Sequence, residues 1–517
     1  SLVLLWVVSC WLVKAQQSKP QDSIVLTEVT VSAPRFQKSQ NLLTQSLSLK
    51  TIDSENKLRQ QLHLGDYLNN IPNLFLSNTN NYAQDVRISI RGFGARSAFG
   101  IRGIRLVVDG IPVTTPDGQS QVDNVNLEII ERVEVLRGVS GVLYGNASGG
   151  VIHLKTTEDI TQNFIKGGLS VGAFATKKYQ FQAGIVSTNT TSLLHASHTQ
   201  SNGYRDFSDF ENRQIHLKIK HRFSEKQSLK FIANYVDSPY AYDAGGLTWE
   251  EVKQNRKLAR KRNTEFDTHE KIEQGKLGFH FLTPLQGTKE LEAYGFYSKR
   301  TFDGKLPYEY GGIVDLLQNH WGMGIHLAQK NNDKFRWLIG IESANQNDIR
   351  KRYVNNAGVQ ENLTLYQNEL FLNVGVYGLA ELQLRRWLVT TGLRLDWHWI
   401  EAQNPTLQSK YTLSSIKLNA WNPTLGVHFA ANKSWRVFGN VSFTFETPTL
   451  NELSANPSGQ SGFNALLKPQ LSMQMEIGAT YTDLSERLQI KWVGFLTKTQ
   501  QEIVPYELEN FPNQTFY

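Results

Sequence analysis

Residues 86–155 read VRISIRGFGARSAFGIRGIRLVVDGIPVTTPDGQSQVDNVNLEIIERVEVLRGVSGVLYGNASGGVIHLK, and this stretch is the most informative of the chain. Four pieces punctuated by glycine follow one another in it: IRGFG at 90–94, VDGIP at 108–112, IERVEVLRG at 130–138 and LYGNASGGVI at 143–152. Each piece alone is common in small domains. Their order and spacing together form a specific pattern.

The residues of this stretch predict a compact α+β unit. The short apolar runs 106–108 and 133–136 are typical of buried strands. Asp109-Gly110 is a tight-turn signal. A helix is predicted around 62–70, upstream of these strands.

From about residue 160 the sequence changes to long segments in which apolar and polar residues alternate. Within 386–400, one face carries Trp387, Val389, Thr391, Leu393, Leu395, Trp397 and Trp399. The other face carries Leu388, Thr390, Gly392, Arg394, Asp396 and His398. The first face suits lipid and the second a hydrated lumen. Ten residues extend roughly 33 Å, which in a tilted strand crosses the apolar band of a membrane.

Short and long connections alternate between these segments. The short turns are predicted near 188–189, 224–226, 284–288, 331–333, 385–386, 432–434 and 483–486. The long connections are predicted near 200–212, 237–272, 302–314, 347–367, 401–414, 446–468 and 501–510. Short turns at the periplasm and long loops outside are typical of outer-membrane barrels, and about fifteen strands fit this chain.

The four pieces in 86–155 resemble the plug domain of TonB-dependent outer-membrane receptors. FETPTLNEL at 445–453 and LKPQLS at 467–472, followed by Glu476-x-Gly478, are similar to two barrel segments of the same family, with Gln470 where Glu is usual. The resemblance implies an all-β transmembrane barrel of about 22 strands, with an N-terminal α+β plug in its lumen. On this basis we expect that the natural protein continues beyond residue 517; a smaller barrel that closes there is the alternative.

Four segments are expected along the chain. Residues 1–15 are typical of a secretory signal peptide, although Cys10 also fits a lipoprotein cleavage box. Residues 16–36 form a periplasmic arm, residues 37–157 the plug and residues 158–517 the barrel.

Within the arm, residues 24–32 resemble a TonB box. The expected contact residues are Leu26, Thr27, Glu28, Val29, Thr30 and Val31. Such a segment adds a strand to the sheet of its partner, here TonB of the inner-membrane TonB-ExbB-ExbD motor. The alternative is an ordinary first strand of the plug.

The resemblance also implies a latch, in which plug arginines pair with barrel glutamates. By motif position Arg91 and Arg137 match the plug side and Glu476 the barrel side, and Glu446 is a second barrel candidate. Buried charges need partners, so such a cluster would fix the plug. The alternative is that these residues are solvated in the lumen.

Ligand-facing residues are expected on plug turns and on one barrel loop. The candidates are Arg96, Ser97, Phe99, Arg102, Asp117, Gln119, Gln121, Tyr204 and Arg205. Arginine beside aromatic residues suits a polyanionic, planar or catecholate ligand. Loop solubility alone is the alternative explanation for each of them.

Composition excludes several other classes. The net charge of +7 comes from scattered residues, which does not favour nucleic-acid binding. The 12 histidines show no metal-ligand spacing, no cofactor motif occurs and no catalytic motif occurs, so neither a metal site nor an enzyme is expected.

The sequence therefore predicts a monomeric importer in the outer membrane of a Gram-negative bacterium. Its small-molecule ligand is expected to be a ferric siderophore or other iron chelate. The run at 91–105 also resembles receptors for pyrroloquinoline quinone, a small anionic cofactor. A passive porin or an adhesin is the alternative from a different class.

Overall fold

The computed structural model describes residues 30–31, 38–39, 44–52, 61–77, 80–97, 100–138, 141–330, 332, 334–405, 412–458, 462–485 and 487–517. None of the helices in this described part has the length and apolar character needed to span a membrane. Two units follow one another: a small mixed unit, called the plug below, and a large antiparallel sheet, called the barrel sheet.

The plug contains short strands and single-turn helices. Two short strands come first, β1 Thr30–Val31 in the arm and β2 Lys38–Ser39 just after it. The elements that follow are β3 Leu47–Thr51, α1 Gly65–Leu68, β4 Leu74–Ser77, β5 Arg87–Ile90, β6 Ile101–Arg102, β7 Ile104–Val108, β8 Ile111–Pro112, β9 Gln119–Ser120, a 3-10 turn Leu127–Ile129, β10 Ile130–Leu136, α2 Gly141–Tyr144 and β11 Gly150–Thr156. The main sheet has the order β3-β10-β11-β7-β8, in which only β11 and β7 run parallel.

The predicted plug strands and turn are confirmed. The runs 106–108 and 133–136 lie in β7 and β10, and their apolar side chains are mostly fully buried. Asp109 and Gly110 both adopt positive φ, 51° and 90°, and join β7 to β8 in a two-residue hairpin.

The predicted helix is present but shorter than 62–70, because α1 makes a single turn. Asn70 with φ 77° ends the helical path after Leu68. At the other end, the carboxylate of Asp66 accepts a hydrogen bond from the backbone N–H of Leu62 at 2.9 Å.

The barrel sheet is an antiparallel meander of fifteen strands, which confirms the predicted number. The strands are β12 Phe164–Val171, β13 Lys177–Val186, β14 Thr190–Ser201, β15 Phe210–Ser224, β16 Gln227–Tyr242, β17 His269–Pro284, β18 Lys289–Lys305, β19 Ile313–Gln329, β20 Phe335–Asn356, β21 Val359–Leu384, β22 Trp387–Gln403, β23 Thr412–Ala430, β24 Trp435–Glu446, β25 Gln470–Thr482 and β26 Gln489–Gln500. A separate hairpin of β27 Tyr506–Leu508 and β28 Phe511–Phe516 follows.

Strand β22 illustrates the two faces of the barrel sheet. Trp387, Leu393, Leu395 and Trp397 are exposed on one face, as the alternation predicted. The opposite face buries Arg394 among other side chains, because it points towards the plug. The other long strands alternate in the same way.

The predicted short turns all fall between strands of the barrel sheet. The long connections carry three short helices: α3 Trp249–Gln254, α4 Lys261–Glu265 and α5 Leu450–Ser454. One predicted long connection, 347–367, is wrong. The ladder of β20 and β21 continues through it to a two-residue turn at Ala357 and Gly358, both with positive φ. Alternating residues extend this hairpin beyond the length that a membrane requires.

Candidate functional site at the plug–barrel interface

Arg91 and Glu476 form an ion pair between the plug and strand β25. Arg91 follows β5 in the left-handed region, with φ 54°, which turns its side chain towards the barrel wall. The guanidinium lies 4.5 Å from the centre of the Phe495 ring on β26. The side chains of Arg91 and Glu476 are 3% and 0% exposed, so the pair is removed from water.

Glu476 has further partners from both units. Asn440 on β24 donates to its Oε2 at 2.7 Å and also to the carbonyl of Thr44 in the plug at 2.9 Å. The backbone N–H of Ser46 lies 3.4 Å from the same oxygen. These groups, with Arg91, are called the latch cluster below.

Arg137 lies beside the latch cluster and is held within the plug. It donates to Ser48 Oγ at 2.9 Å and to the carbonyl of Pro72 at 2.7 Å. Burial, followed by the positive charge of Arg91, lowers the pKa of Arg137 to about 10, although Glu476 opposes that shift. The structure thus brings the three motif residues Arg91, Arg137 and Glu476 together.

A second group, the loop cluster, lies where the connection after β24 folds onto the plug. Arg96 donates to Glu452 at 2.9 Å and to Glu446 at 3.2 Å. Arg102 donates to Glu452 through Nε at 3.3 Å and through Nη2 at 3.0 Å. Two plug arginines therefore share two carboxylates of the barrel side.

Glu452 is positioned by the start of helix α5. Thr449 and Glu452 form a capping box, in which Glu452 accepts from the Thr449 N–H at 2.8 Å and its own N–H donates to Thr449 Oγ1 at 3.0 Å. Burial alone would raise the pKa of Glu452, but Arg102 and Arg96 outweigh it and hold that pKa below its usual range. The carboxylate is therefore kept ionised.

Glu446, the second barrel candidate, pairs with a plug arginine, but this arginine is Arg96 of the loop cluster and not Arg91 or Arg137 of the latch. Its partners are Arg96 and, at 3.3 Å, Gln470. Glu446 follows Asn440 by six residues on β24, and six residues of a strand extend roughly 20 Å. It is thus too far along the wall to face Arg137.

The plug turn around Asp117 is bonded to the same loop. Asp117 Oδ2 accepts from the backbone N–H of Leu450 at 3.2 Å. The carbonyl of Asp117 accepts from Arg102 at 3.0 Å. Asn146 donates to Thr447 Oγ1 at 2.7 Å. Arg102 and Asp117 are 3% and 1% exposed, so these two predicted ligand residues are covered by the loop instead of facing outward.

The remaining predicted ligand residues have different surroundings. Ser97 is buried, and its carbonyl lies 3.3 Å from Arg87 Nη1. Arg205 donates to the carbonyls of Ala244 and Leu258, at 3.0 Å and 2.6 Å, so its guanidinium joins two barrel loops. Tyr204 is 47% exposed and contacts Phe174 edge to face, with 5.5 Å between ring centres.

Several predictions lie outside the described residues. They are Phe99 and, in the arm, Leu26, Thr27, Glu28 and Val29. Thr30 and Val31 pair with Ser39 and Lys38 as strands β1 and β2.

Gln119 and Gln121 line a small cavity of about 20 Å³ against strands β17–β19. Lys276 and His320 also line it, whereas none of its described lining residues is Asp or Glu. A larger cavity of about 120 Å³ lies between the plug and β14–β17 and contains Asp85, Asp123 and Glu270.

Several interface ion pairs were not predicted from the sequence. Lys218 on β15 lies 3.0 Å from Asp109 Oδ2, and Arg300 on β18 lies 2.6 Å from Asp123 Oδ2. Burial would raise the pKa of Asp109, but Lys218 and Lys230 hold it well below its usual range. Two signals were available for Glu452: the family segment 445–453 and the capping-box pattern Thr449-x-x-Glu452.

Comparison with known proteins agrees with this architecture. Residues 160–517 match the family model described as TonB dependent receptor-like, beta-barrel, and residues 41–151 match the TonB-dependent Receptor Plug Domain. The vitamin B12 transporter BtuB of Vibrio vulnificus (strain CMCP6) is 24% identical over 483 residues, covering 90% of this chain and 68% of that protein.

Solved structures share the fold. The ferric citrate transporter FecA in the unliganded form has a TM-score of 0.74 at 20% identity, covering 88% of this chain and 70% of its own. The ferric yersiniabactin uptake receptor FyuA from Yersinia pestis has a TM-score of 0.72 at 16% identity, and the match covers 91% of this chain and 74% of the FyuA chain.

The chain belongs to the TonB-dependent receptors. It is accordingly a transporter of the Gram-negative outer membrane that works with TonB on a small-molecule ligand, and not an enzyme. In outer-membrane barrels the short turns face the periplasm and the longer loops face outside.

Proposed function

We propose that this receptor imports a negatively charged, oxygen-rich chelate, in the first place a ferric siderophore or other iron chelate. The lining of the small cavity against β17–β19 supports it, because Lys276 and His320 face Gln119 and Gln121 without a lining carboxylate; at about 20 Å³ this cavity must widen before a chelate fits. Amide and hydroxyl groups with one ammonium suit the oxygens of such a ligand. Pyrroloquinoline quinone, which is also anionic, shares this chemistry. FecA and FyuA are receptors for ferric citrate and ferric yersiniabactin, respectively.

The acidic cavity favours a second candidate ligand. Asp85, Asp123 and Glu270 line it together with Asn81 and Gln84. Carboxylates and amides there suit a ligand that presents amide N–H groups, as a corrinoid does. The BtuB relative is a vitamin B12 transporter.

Binding to the purified receptor separates the two candidates. Tryptophan fluorescence would be followed against ferric citrate, a ferric catecholate, pyrroloquinoline quinone and cyanocobalamin. We expect saturable quenching by one anionic probe. Lys276→Gln should weaken the binding of that probe about 10-fold, because one charge-assisted contact is lost. Asp85→Asn is the matched control in the other cavity. Binding of cyanocobalamin alone, weakened by Asp85→Asn, would instead support the second candidate.

We further propose that residues 24–32 are the segment pulled by TonB, within the TonB-ExbB-ExbD motor, and that the latch cluster resists this pull until the ligand is bound. The buried pair of Arg91 and Glu476 supports a latch, since a buried ion pair is costly to break. Import should then require the proton-motive force. A passive porin or adhesin would not.

A further inference from the structure

Three cavities follow one another between the plug and the barrel wall: the outer one lies against β17–β19, the middle one against β18–β21 and the inner one against β15–β19. The outer one, of about 20 Å³, and the middle one, of about 10 Å³, share His320. The middle cavity shares Pro112 and Tyr294 with an inner cavity of about 210 Å³, which reaches Ser228 and Lys330 near the short turns. This line of cavities therefore runs from the outer loops towards the periplasm.

The line is closed at the tip of the β7–β8 hairpin, residues 109–112. Ile111 packs against Ile232, Tyr294 and Phe296 of the wall. Lys276 donates to the carbonyl of Pro112 at 2.7 Å and lies 4.9 Å from the centre of the Phe296 ring. A cavity of about 10 Å³ holds at most about one water molecule, so no ligand passes in this conformation.

The tip lies at one edge of the plug sheet, where Asp109 donates its N–H to the carbonyl of Leu154 at 3.0 Å and accepts from the N–H of Thr156 at 2.9 Å. Strand β8 is an edge strand of two residues, and Pro112 has no N–H to give to a ladder. Besides the contacts of Ile111 and Lys276, the ion pair of Asp109 with Lys218 holds it to the wall. The opposite side of the plug, at α2, packs against β21–β24.

We propose that the imported ligand crosses the barrel along strands β17–β19, and that displacement of the tip 109–112 opens this route while α2 stays against the wall. The inference rests on the proposed import, and it adds the path and the gate. The inner cavity beyond the tip contains Lys155, Lys220, Lys230 and Lys330 against three carboxylates. Lys220 and Lys230 pair with Glu158, and Lys330 pairs with Glu290, so an anionic ligand would compete with these carboxylates for the lysines after the gate.

Disulfide cross-links test the route, because Cys10 is the one cysteine of the chain and lies in the predicted signal peptide. Ile111→Cys with Gly278→Cys would lock the tip, since a Cβ on Gly278 would point at the Ile111 side chain. Gly141→Cys with Thr444→Cys is the matched control, because a Cβ on Gly141 would lie 2.7 Å from Thr444 Cγ2. Uptake of labelled ferric citrate, a ferric catecholate and cyanocobalamin would be measured in cells that carry this receptor alone.

The oxidised tip pair should keep ligand binding but lose import at least about 10-fold, which is about 1.4 kcal/mol in transport barrier. Reduction should restore import, and the control pair should import normally in both states. Normal import by the oxidised tip pair would overturn the route. Loss of import in the control pair as well would overturn the local gate, because the whole plug would then have to move.

A second readout needs no ligand and so stands if the proposed substrate is wrong. Ile111→Ala with Phe296→Ala should give the purified receptor an anion-selective conductance in planar lipid bilayers. Val142→Ala with Leu143→Ala, which truncates the α2 side to a similar extent, should remain closed. Equal conductance of the two double variants, or none in either, would contradict the gate at the tip.

Discussion

Arg91 of the plug and Glu476 of strand β25 form an ion pair from which water is almost wholly excluded, with side chains 3% and 0% exposed. Arg137 lies next to this pair, and Asn440 bridges Glu476 to the plug backbone. Glu476 is thus the shared counter-charge of the guanidinium groups of Arg91 and Arg137. The latch cluster should therefore be sensitive to a substitution that removes the charge of Glu476 but preserves the shape of its side chain.

Glu476→Gln should loosen the plug. The substitution keeps the size of the side chain but leaves Arg91 and Arg137 without their counter-charge in a buried place, at a cost of about 3 kcal/mol in the free energy of unfolding. Denaturant unfolding of the purified receptor measures this change. Glu265→Gln, which removes an exposed pair with Lys261 on α4, should change it by less than about 0.5 kcal/mol. Equal effects of both would show that the latch cluster does not fix the plug.

Glu452→Gln should release the connection after β24 from the plug, because Arg96 and Arg102 lose their shared carboxylate. Hydrogen exchange of residues 447–469 should rise by at least about 10-fold, as expected for a loss of about 1.5 kcal/mol or more.

A matched control exists in α3, where Thr248 and Glu251 form the same capping box away from the plug. Glu251→Gln removes an equivalent cap and should alter exchange only within its own loop. If Glu452→Gln behaves in the same limited way, the loop cluster contributes no more than a helix cap.

The acidic cavity should make stability depend on pH. Burial, followed by the neighbouring carboxylate of Asp123, raises the pKa of Asp85 to about 7 from a usual 3.8. The folded state therefore keeps a proton that the unfolded state releases, so this contribution is complete below pH 3.8 and is lost as the pH rises to about 7.

Asp85→Asn removes this titration. Relative to the natural protein, the variant should gain thermal stability between pH 4.5 and pH 8, by up to about 2–4 kcal/mol. Gln84→Glu, which adds a carboxylate next to Asp243, is not expected to remove the dependence. A constant difference between Asp85→Asn and the natural protein at both pH values would refute the assignment to Asp85.

The sequence could predict the features that depend on local periodicity. Alternation in 386–400 indicated β22 and its two faces, and Asp109-Gly110 indicated the hairpin turn. The resemblance to family motifs predicted that Arg91 pairs with Glu476, as the structure shows.

The partners of the loop cluster could not be found in this way. Arg102 and Glu452 are 350 positions apart and meet only because the connection after β24 folds over the plug. Lys218 likewise reaches Asp109 through the curvature of the sheet, which no local pattern records. The predicted connection 347–367 failed for a related reason: polar residues suggested a loop, while pairing between β20 and β21 continued through them.

Import measured with and without residues 24–32 shows whether this segment couples the receptor to the proton-motive force. Cells that carry this receptor alone would take up the probe that binds in the fluorescence screen, before and after a protonophore removes the proton-motive force. We expect that deletion of 24–32 leaves binding unchanged but abolishes uptake, and that the protonophore has the same effect on the intact receptor. Undiminished uptake by the deletion variant, or uptake that persists without the proton-motive force, would contradict energised import.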